Sequence, residues 1–312
     1  MKKKILIAGQ EGMVGSAIYK LLKQKKDFYI INCFRNDLDF TNQQKVDNWF
    51  KKKKPDVVIN ASGKVGGILD NHNFQPDYIY TNTMIGLNII KSSIKYEVEK
   101  LINLGSACIY PKKTNQPIKE DFLLTSKLEP TNEGYALAKI LTLKFCQHLK
   151  KKDNKNFISL MPANLYGEGD NFDLSSSHVL PALVKKFVLA KKYNKSFVEV
   201  WGTGNVKREF LHVNDLALAV YFMLKKNSDE YYLNVGGGEH YSIKNIANIL
   251  KKINNYKGKI IFNSNYPDGV KRRQLDSRKI RKLGWKPKIK LVSGLKKYTK
   301  YYKTKILPKE QD

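Results

Sequence analysis

Acidic residues are scarce in this chain of 312 residues, 28 against 57 Lys and Arg, and cysteine is rarer still, with three. Cys33, Cys108 and Cys146 cannot all pair with one another, which argues against a disulfide-built secreted scaffold and for a reducing cytoplasm. No apolar run is long enough to cross a bilayer. The charged-then-apolar opening is broken by Gln10 and Glu11 before it can act as a secretory signal. The shortage of acids leaves a net charge of +29, but the lysines gather in runs such as 51–54 and 150–152 at the ends of expected helices, where solvated surface is the plain reading. Basic residues interleaved with aromatics on one face, which nucleic-acid binding would need, are missing, so no nucleic-acid partner is expected. A positive field suits a small polyanionic substrate. No metal and no membrane contact are expected.

What is present is an alternation of short apolar runs and amphipathic stretches, the pattern of an α/β fold with a doubly wound parallel sheet and a second, smaller mixed domain. Lys4 to Ala8 reads as a strand that runs into Gly9-Gln-Glu-Gly12-Met-Val-Gly15 and then a helix to about Leu22. Glycines at such a turn let the backbone approach a pyrophosphate, whose charge meets the helix N-terminus. Gly9, Gly12, Met13, Val14 and Gly15 are therefore candidate dinucleotide ligands. Phe28 to Cys33 reads as the second strand, and Arg35 stands just beyond it, where an acid would hold a free ribose 2′-hydroxyl. Arginine suits a 2′-phosphate, so NADP is favoured over NAD. The segment holding Arg35, Asn36, Leu38 and Asp39 would pass the adenosine. A third strand, Asp56 to Asn60, ends in small residues including Ala61 that would let cofactor and substrate lie against the backbone. A helix is expected over 80–95, and a fourth strand, Leu101 to Leu104, delivers Gly105, Ser106 and Cys108 to the carboxyl edge of the sheet, where such folds bind ligands.

The stretch from Thr131 to Lys139 reads as a helix opening, with Thr131 or Asn132 as its cap. It sets Tyr135 and Lys139 one turn apart on a single face. A free phenol titrates near ~10, and a fixed ammonium beside it would lower that value and equip the pair to protonate a carbonyl oxygen as hydride reaches its carbon. Ser106 has the hydroxyl to hold that carbonyl. A thiol and an imidazole, such as those of Cys108 and His178, have ordinary pKa values of ~8.5 and ~6.5 that bracket neutrality.

Gly-x-x-Gly-x-x-Gly, Ser106 and Tyr135-x-x-x-Lys139 together resemble the extended short-chain dehydrogenase/reductase superfamily. Finer signatures are similar to the GDP-L-fucose synthase family: Gly12-Met-Val-Gly-Ser16, Lys64-Val-Gly-Gly-Ile68, Gly105-Ser-x-Cys-Ile-Tyr-Pro111, Glu129 to Glu133, Asn164-Leu-Tyr-Gly167, Ser177-His-Val-x-Pro-Ala182, Trp201-Gly-x-Gly204, Arg208 to Val213 and Pro267-Asp-Gly269. The resemblance implies a GDP-4-keto-6-deoxy-mannose-type substrate, epimerised at C3 and C5 and reduced at C4 with NADPH. It implies Tyr135 as the acid at the 4-keto oxygen, Lys139 as its tuner and nicotinamide-ribose ligand, Ser106 as the group polarising the ketone, and Cys108 with His178 as the epimerisation pair. Lys64, Leu104, Gly105, Pro162, Asn164, Leu165 and His178 would complete the cofactor site. Lys186, Trp201, Arg208 and Asp268 match substrate positions, and Arg272 and Arg273 could add further diphosphate ligands. Residues 1–166 with about 209–236 would form the cofactor domain, and about 167–208 with 237–312 the sugar-nucleotide domain. The resemblance also implies a homodimer through the helices at 80–95 and 135–149.

Departures from the family pattern keep other readings open. Glu11 stands where a basic residue often assists the 2′-phosphate, and Lys186 replaces an arginine. Gly134, Ala107 and Ala163 replace larger residues and are expected to enlarge the sugar pocket, which admits a C4 reductase acting on a GDP-4-keto-6-deoxy-heptose epimerised elsewhere. A non-catalytic dinucleotide sensor would keep the glycines alone. The tail from Lys300 is expected to be dispensable.

Overall fold

The computed structural model describes residues 2–266 and 268–310, so Pro267 of the Pro-Asp-Gly signature and the last two residues of the tail lie outside it. In chain order come β1 (Lys4–Ala8), α1 (Met13–Lys25), β2 (Tyr29–Ile31), α2 (Gln43–Lys53), β3 (Val57–Asn60), α3 (Ile68–Asn73), α4 (Gln75–Lys95), β4 (Lys100–Leu104), α5 (Glu133–Asp153) and β5 (Asn156–Pro162). There follow β6 (Asn164–Tyr166), α6 (Val179–Lys192), β7 (Phe197–Trp201), β8 (Lys207–His212), α7 (Val213–Lys225), β9 (Tyr232–Val235), β10 (His240–Ser242), α8 (Ile243–Ile253), β11 (Lys259–Asn263), β12 (Arg272–Arg273), α9 (Arg278–Lys282) and α10 (Leu291–Tyr301).

The six-stranded parallel sheet runs β2-β1-β3-β4-β5-β9. Its strands are apolar on both faces because helices cover both. Ile5 and Ile7 of β1 pack with Ile18 and Leu22 of α1 and Leu216 and Val220 of α7. Leu6 and Ala8, pointing the other way, pack with Val46 and Phe50 of α2 and Ile85 and Ile89 of α4. This is the Rossmann-like arrangement expected from the alternating pattern, with β2 shorter than its apolar run and α4 beginning at Gln75, ahead of residue 80.

The remaining strands form two smaller sheets. Around β8 lie β6 and β12, both parallel to it, and β10, antiparallel; β7 pairs with β11. A separate apolar cluster draws Val184 and Phe187 from α6, Val198 and Val200 from β7, Ile246 and Leu250 from α8, and Leu295 and Tyr298 from α10. The tail is a correction. Tyr302 is fully buried, its hydroxyl donates to Glu310 at 2.9 Å, and Lys185 pairs with Glu310 at 2.7 Å, so the segment beyond Lys300 closes this core. Its Lys-rich composition hid the buried aromatics spaced along it.

Candidate active site

The turn after β1 is shaped for a backbone that must pass close to something. Gly9 has φ +80°, and a Cβ there would lie 2.8 Å from the Ala61 carbonyl oxygen. A Cβ on Gly15 would come within 2.0 Å of the Gly9 carbonyl oxygen, so this glycine lets α1 sit against the turn. No side chain caps Gly12 and no acid occupies the first turn of α1, which leaves the N–H groups and the positive helix end at Met13 and Val14 to an anion. That cradle fits a dinucleotide pyrophosphate.

At the adenosine end, Arg35 is exposed and its side chain makes no ion pair among the described residues. Its backbone N–H donates to Glu11 at 2.5 Å, so a carboxylate stands beside Arg35. Asn36 is exposed, whereas Leu38 is buried in the core beside Cys33. Asp39 accepts from the Thr41 N–H at 2.9 Å and hydroxyl at 2.7 Å, which hold its carboxyl below the usual range. Lys64 is clamped rather than free. Asn82 accepts from its N–H at 3.0 Å and donates to its carbonyl at 3.1 Å, while its ammonium pairs with Asp77 at 3.3 Å. Asn82 was missed in the sequence because its partners lie on a loop distant in the chain.

β4 ends at Leu104, and after Gly105 the chain makes a single 3-10 turn over Ala107–Ile109. Ser106 heads the turn and its hydroxyl accepts from the Cys108 N–H at 3.2 Å. Ala107 is buried in the core while Ser106 and Cys108 remain partly exposed, and both act on the Tyr135 phenol. Tyr135 arrives from the first turn of α5, hydrogen-bonded to Ser106 and in the field of Cys108. Tyr78 packs edge-on against it, with ring centroids 6.3 Å apart, and bonds in turn to Asp70. Lys139 lies one turn further, its ammonium 5.8 Å from the Tyr135 ring centroid and 3.2 Å from the Leu104 carbonyl oxygen.

Two expectations change here. Burial and the field of Cys108 push the Tyr135 phenol above its ordinary value, with the Ser106 hydrogen bond only partly opposing them. Lys139 does not lower it, because burial weakens that ammonium's own hold on its proton, to a pKa of about 8. Tyr135 therefore stands protonated at neutral pH. The cap also differs. Asn132 occupies the N-cap position without a side-chain bond, and Gln75 at the head of α4 accepts from the Gly134 N–H at 3.0 Å and donates to the Pro130 carbonyl at 2.9 Å. A Cβ on Gly134 would lie 2.7 Å from the Gln75 carbonyl oxygen, and Ala107 and Ala163 are buried in the core.

His178 caps α6 by position and is exposed to solvent. Among the described residues no bond joins it to Cys108. The same loop meets the cofactor side where the Gly67 N–H donates to the Ser176 carbonyl at 2.7 Å. At the end of β5, Pro162 is buried, Leu165 is half-buried, and the Asn164 amide donates to the Glu209 carbonyl at 2.9 Å.

Further out, Lys186 donates to the Glu199 carbonyl at 3.0 Å and its ammonium lies 5.1 Å from the Trp201 ring centroid. Trp201 stacks on Tyr266 at 4.2 Å. Arg208 donates to the Val270 carbonyl at 2.5 Å and to that of Asp268 at 3.3 Å, and feels the fields of Arg273, Cys108, Asp268 and Glu129. The Asp268 carboxylate accepts from the Thr203 N–H at 2.8 Å and hydroxyl at 2.7 Å, which fixes the loop after Trp201. Among the described residues no cluster of His, Cys, Asp or Glu could hold a metal ion, and no helix is long and apolar enough to cross a membrane.

Residues 5–242 match the model of the NAD dependent epimerase/dehydratase family, a span that holds the glycine turn, Ser106, Tyr135 and Lys139. The chain belongs to that family. Among its relatives, the GDP-L-fucose synthase of Sinorhizobium fredii is 46% identical over 95% of this chain and 94% of that protein. The solved structure of a GDP-6-OMe-4-keto-L-xylo-heptose reductase from C. jejuni matches with a TM-score of 0.91 at 35% identity, covering 97% of this chain and 98% of that one. A GDP-mannoheptose C4 reductase from Campylobacter jejuni with NADP bound matches at 0.89 and 36% identity, over 97% and 99%. In this epimerase/dehydratase family member, Ser106 and Cys108 follow the carboxyl end of β4 in the parallel sheet.

Proposed function

We propose that the protein is an NADPH-dependent epimerase/reductase of the GDP-L-fucose synthase kind, acting on a GDP-4-keto-6-deoxy-mannose-type sugar. The observation that carries the reading is the convergence of Ser106, Cys108 and Tyr135 at the end of β4, with Lys139 behind them. A bound NADPH would supply the hydride to C4. Tyr135, protonated at neutral pH, gives its proton to the C4 oxygen, and Ser106 holds that oxygen through the hydroxyl it shares with the phenol. In the preceding epimerisation, Cys108 and His178 remove and return the protons at C3 and C5, and the same two hydroxyl groups stabilise the enolate formed at the C4 oxygen. Lys139 and the Gly9 to Gly15 turn hold the cofactor, with Arg35 at its 2′-phosphate. Lys186, Trp201, Arg208, Asp268 and Arg273 hold the GDP moiety. Residues 1–166 with about 209–236 then serve the cofactor and the rest of the chain the sugar nucleotide.

The hexose reading is preferred over a C4 reductase confined to heptoses, since identity is 46% to the GDP-L-fucose synthase against 35% and 36% to the heptose reductases. A dinucleotide sensor has no use for Ser106, Tyr135 and Lys139 together. Exposed Ile79 and Tyr80 on α4 and Leu137 and Leu141 on the adjoining α5 support a homodimer through this helix pair. Three unpaired thiols support the cytoplasm, where the product would feed polysaccharide biosynthesis. The test is Cys108→Ser. It should stop solvent deuterium entering C3 and C5 of the keto sugar, read by NMR, while NADPH oxidation continues to an unepimerised product. If the wild type oxidises NADPH and exchanges no deuterium, the epimerase half of the reading is wrong.

A further inference from the structure

Arg273 is 7% exposed and stands on β12 in parallel register with Arg208 of β8. Register neighbours on parallel strands project to the same face of a sheet, so two guanidinium groups stand side by side. Burial first, and the field of Arg273 second, lower the Arg208 pKa to about 10. Among the described residues neither arginine has an ion-pair partner. Buried cations without an acid are costly, and an anionic ligand relieves the cost. The two ends of the Arg273 fork are engaged differently. Nη1 donates to the Ala107 carbonyl at 3.1 Å, whereas Nη2 is buried with no hydrogen-bond partner among the described residues. That carbonyl lies in the turn between Ser106 and Cys108. The charged and titratable groups around the turn are Tyr135 from α5, Arg208 from β8 and Arg273 from β12, with Glu129 and Asp268 acting on Arg208.

We propose that Arg273 is a positioning residue that couples the two ends of the substrate site. One guanidinium nitrogen holds the Ala107 carbonyl and the other takes a phosphate oxygen of the ligand, so seating the diphosphate sets where Ser106 and Cys108 stand. The inference rests on the sugar-nucleotide reading above. It gives the non-reacting part of the substrate a role in turnover, because binding energy far from the reacting carbon is used to orient the groups that act on it.

Cys108 itself can report the coupling without any turnover. Cys33 and Cys146 are buried with thiols pushed up to about 12, so iodoacetamide near neutral pH reads Cys108. The alkylation rate is measured by intact-protein mass spectrometry with and without saturating GDP, and GDP affinity is measured by calorimetry on the same samples. GDP should change the wild-type rate about fivefold or more and the Arg273→Gln rate by less than about twofold, while Arg273→Lys, with charge but no fork, responds less than wild type. Saturation remains attainable, since Lys186, Trp201 and Arg208 are intact and the lost contact should weaken GDP by about tenfold. Shielding of the thiol by bound GDP would persist in Arg273→Gln, so equal responses in that variant and the wild type overturn the inference. So does a wild type that is saturated and unresponsive. Both outcomes leave the sugar-nucleotide reading standing, whereas a wild type that does not bind GDP overturns both. Should Arg273→Gln fail to fold, Arg273→Lys decides, and a response as large as wild type overturns the coupling.

Discussion

The glycine turn at the head of α1 and the arginine-bearing edge of β8 and β12 are both suited to phosphate, by opposite means. The turn offers backbone N–H groups and a partial positive charge, with no side-chain cap at Gly12 and no acid in the first turn of α1. The arginine edge offers full charges, each steadied by a backbone carbonyl: Lys186 by Glu199, Arg208 by Val270 and Asp268, Arg273 by Ala107. Carbonyls orient a cation without neutralising it, so the charge stays available to a ligand. The first site is made within one short segment. The second draws its steadying groups from segments far apart in the chain.

Chemistry should sit between the two sites and depend on neither alone. Tyr135→Phe keeps the ring against Tyr78 and removes the proton, so kcat should fall roughly 10²-fold or more while calorimetry finds NADPH and GDP binding intact. Turnover near wild type would remove Tyr135 from its role as the acid. Arg208→Gln should act on the sugar side alone, raising KM for the sugar nucleotide roughly 10- to 100-fold with KM for NADPH within about twofold. A shift in both constants would erase the contrast between the sites.

The pH profile probes the group behind Tyr135. Lys139, with its pKa lowered to about 8, is charged below that pH and neutral above it, so kcat should fall about tenfold per pH unit on the alkaline side. Stability should not follow. Between about 8 and the ordinary lysine value the unfolded chain binds more protons than the folded one, so this lysine's contribution to stability rises with pH. An alkaline limb beginning well above 8, or one tracking thermal unfolding, would contradict the assignment.

The smallest effects lie at the adenosine end. Arg35→Ala should weaken NADPH about tenfold and leave NADH nearly unchanged. Glu11→Gln removes the carboxylate from the Arg35 N–H and should tighten NADPH by about two- to threefold. Fluorescence titration of both cofactors measures each, and equal effects on NADPH and NADH would show that neither residue reads the 2′-phosphate.

Much of the parallel-sheet fold was legible because its signals are local. Apolar runs bounded by glycine gave the strands, and the spacing of Tyr135 and Lys139 within one helix required only helical geometry. The errors arose where a distant segment intervened. Gln75 caps α5 in place of Thr131 or Asn132, Asn82 fixes Lys64, and Tyr302 makes the lysine-rich tail part of a core. The raised Tyr135 phenol belongs with these, since burial cannot be read from the spacing of a phenol and an ammonium.

The sequence by itself determined the alternation of strand and helix, the glycine turn and the placing of a serine, a thiol, a phenol and an ammonium on two adjoining segments, because each depends on residues a few positions apart. Only the tertiary structure decided that Tyr135 holds its proton, that Arg208 and Arg273 stand together with no ion-pair partner among the described residues, and that one arginine bonds to the turn bearing Ser106 and Cys108. Those properties depend on desolvation and on charges meeting across the fold, and neither exists until segments far apart in the chain have packed.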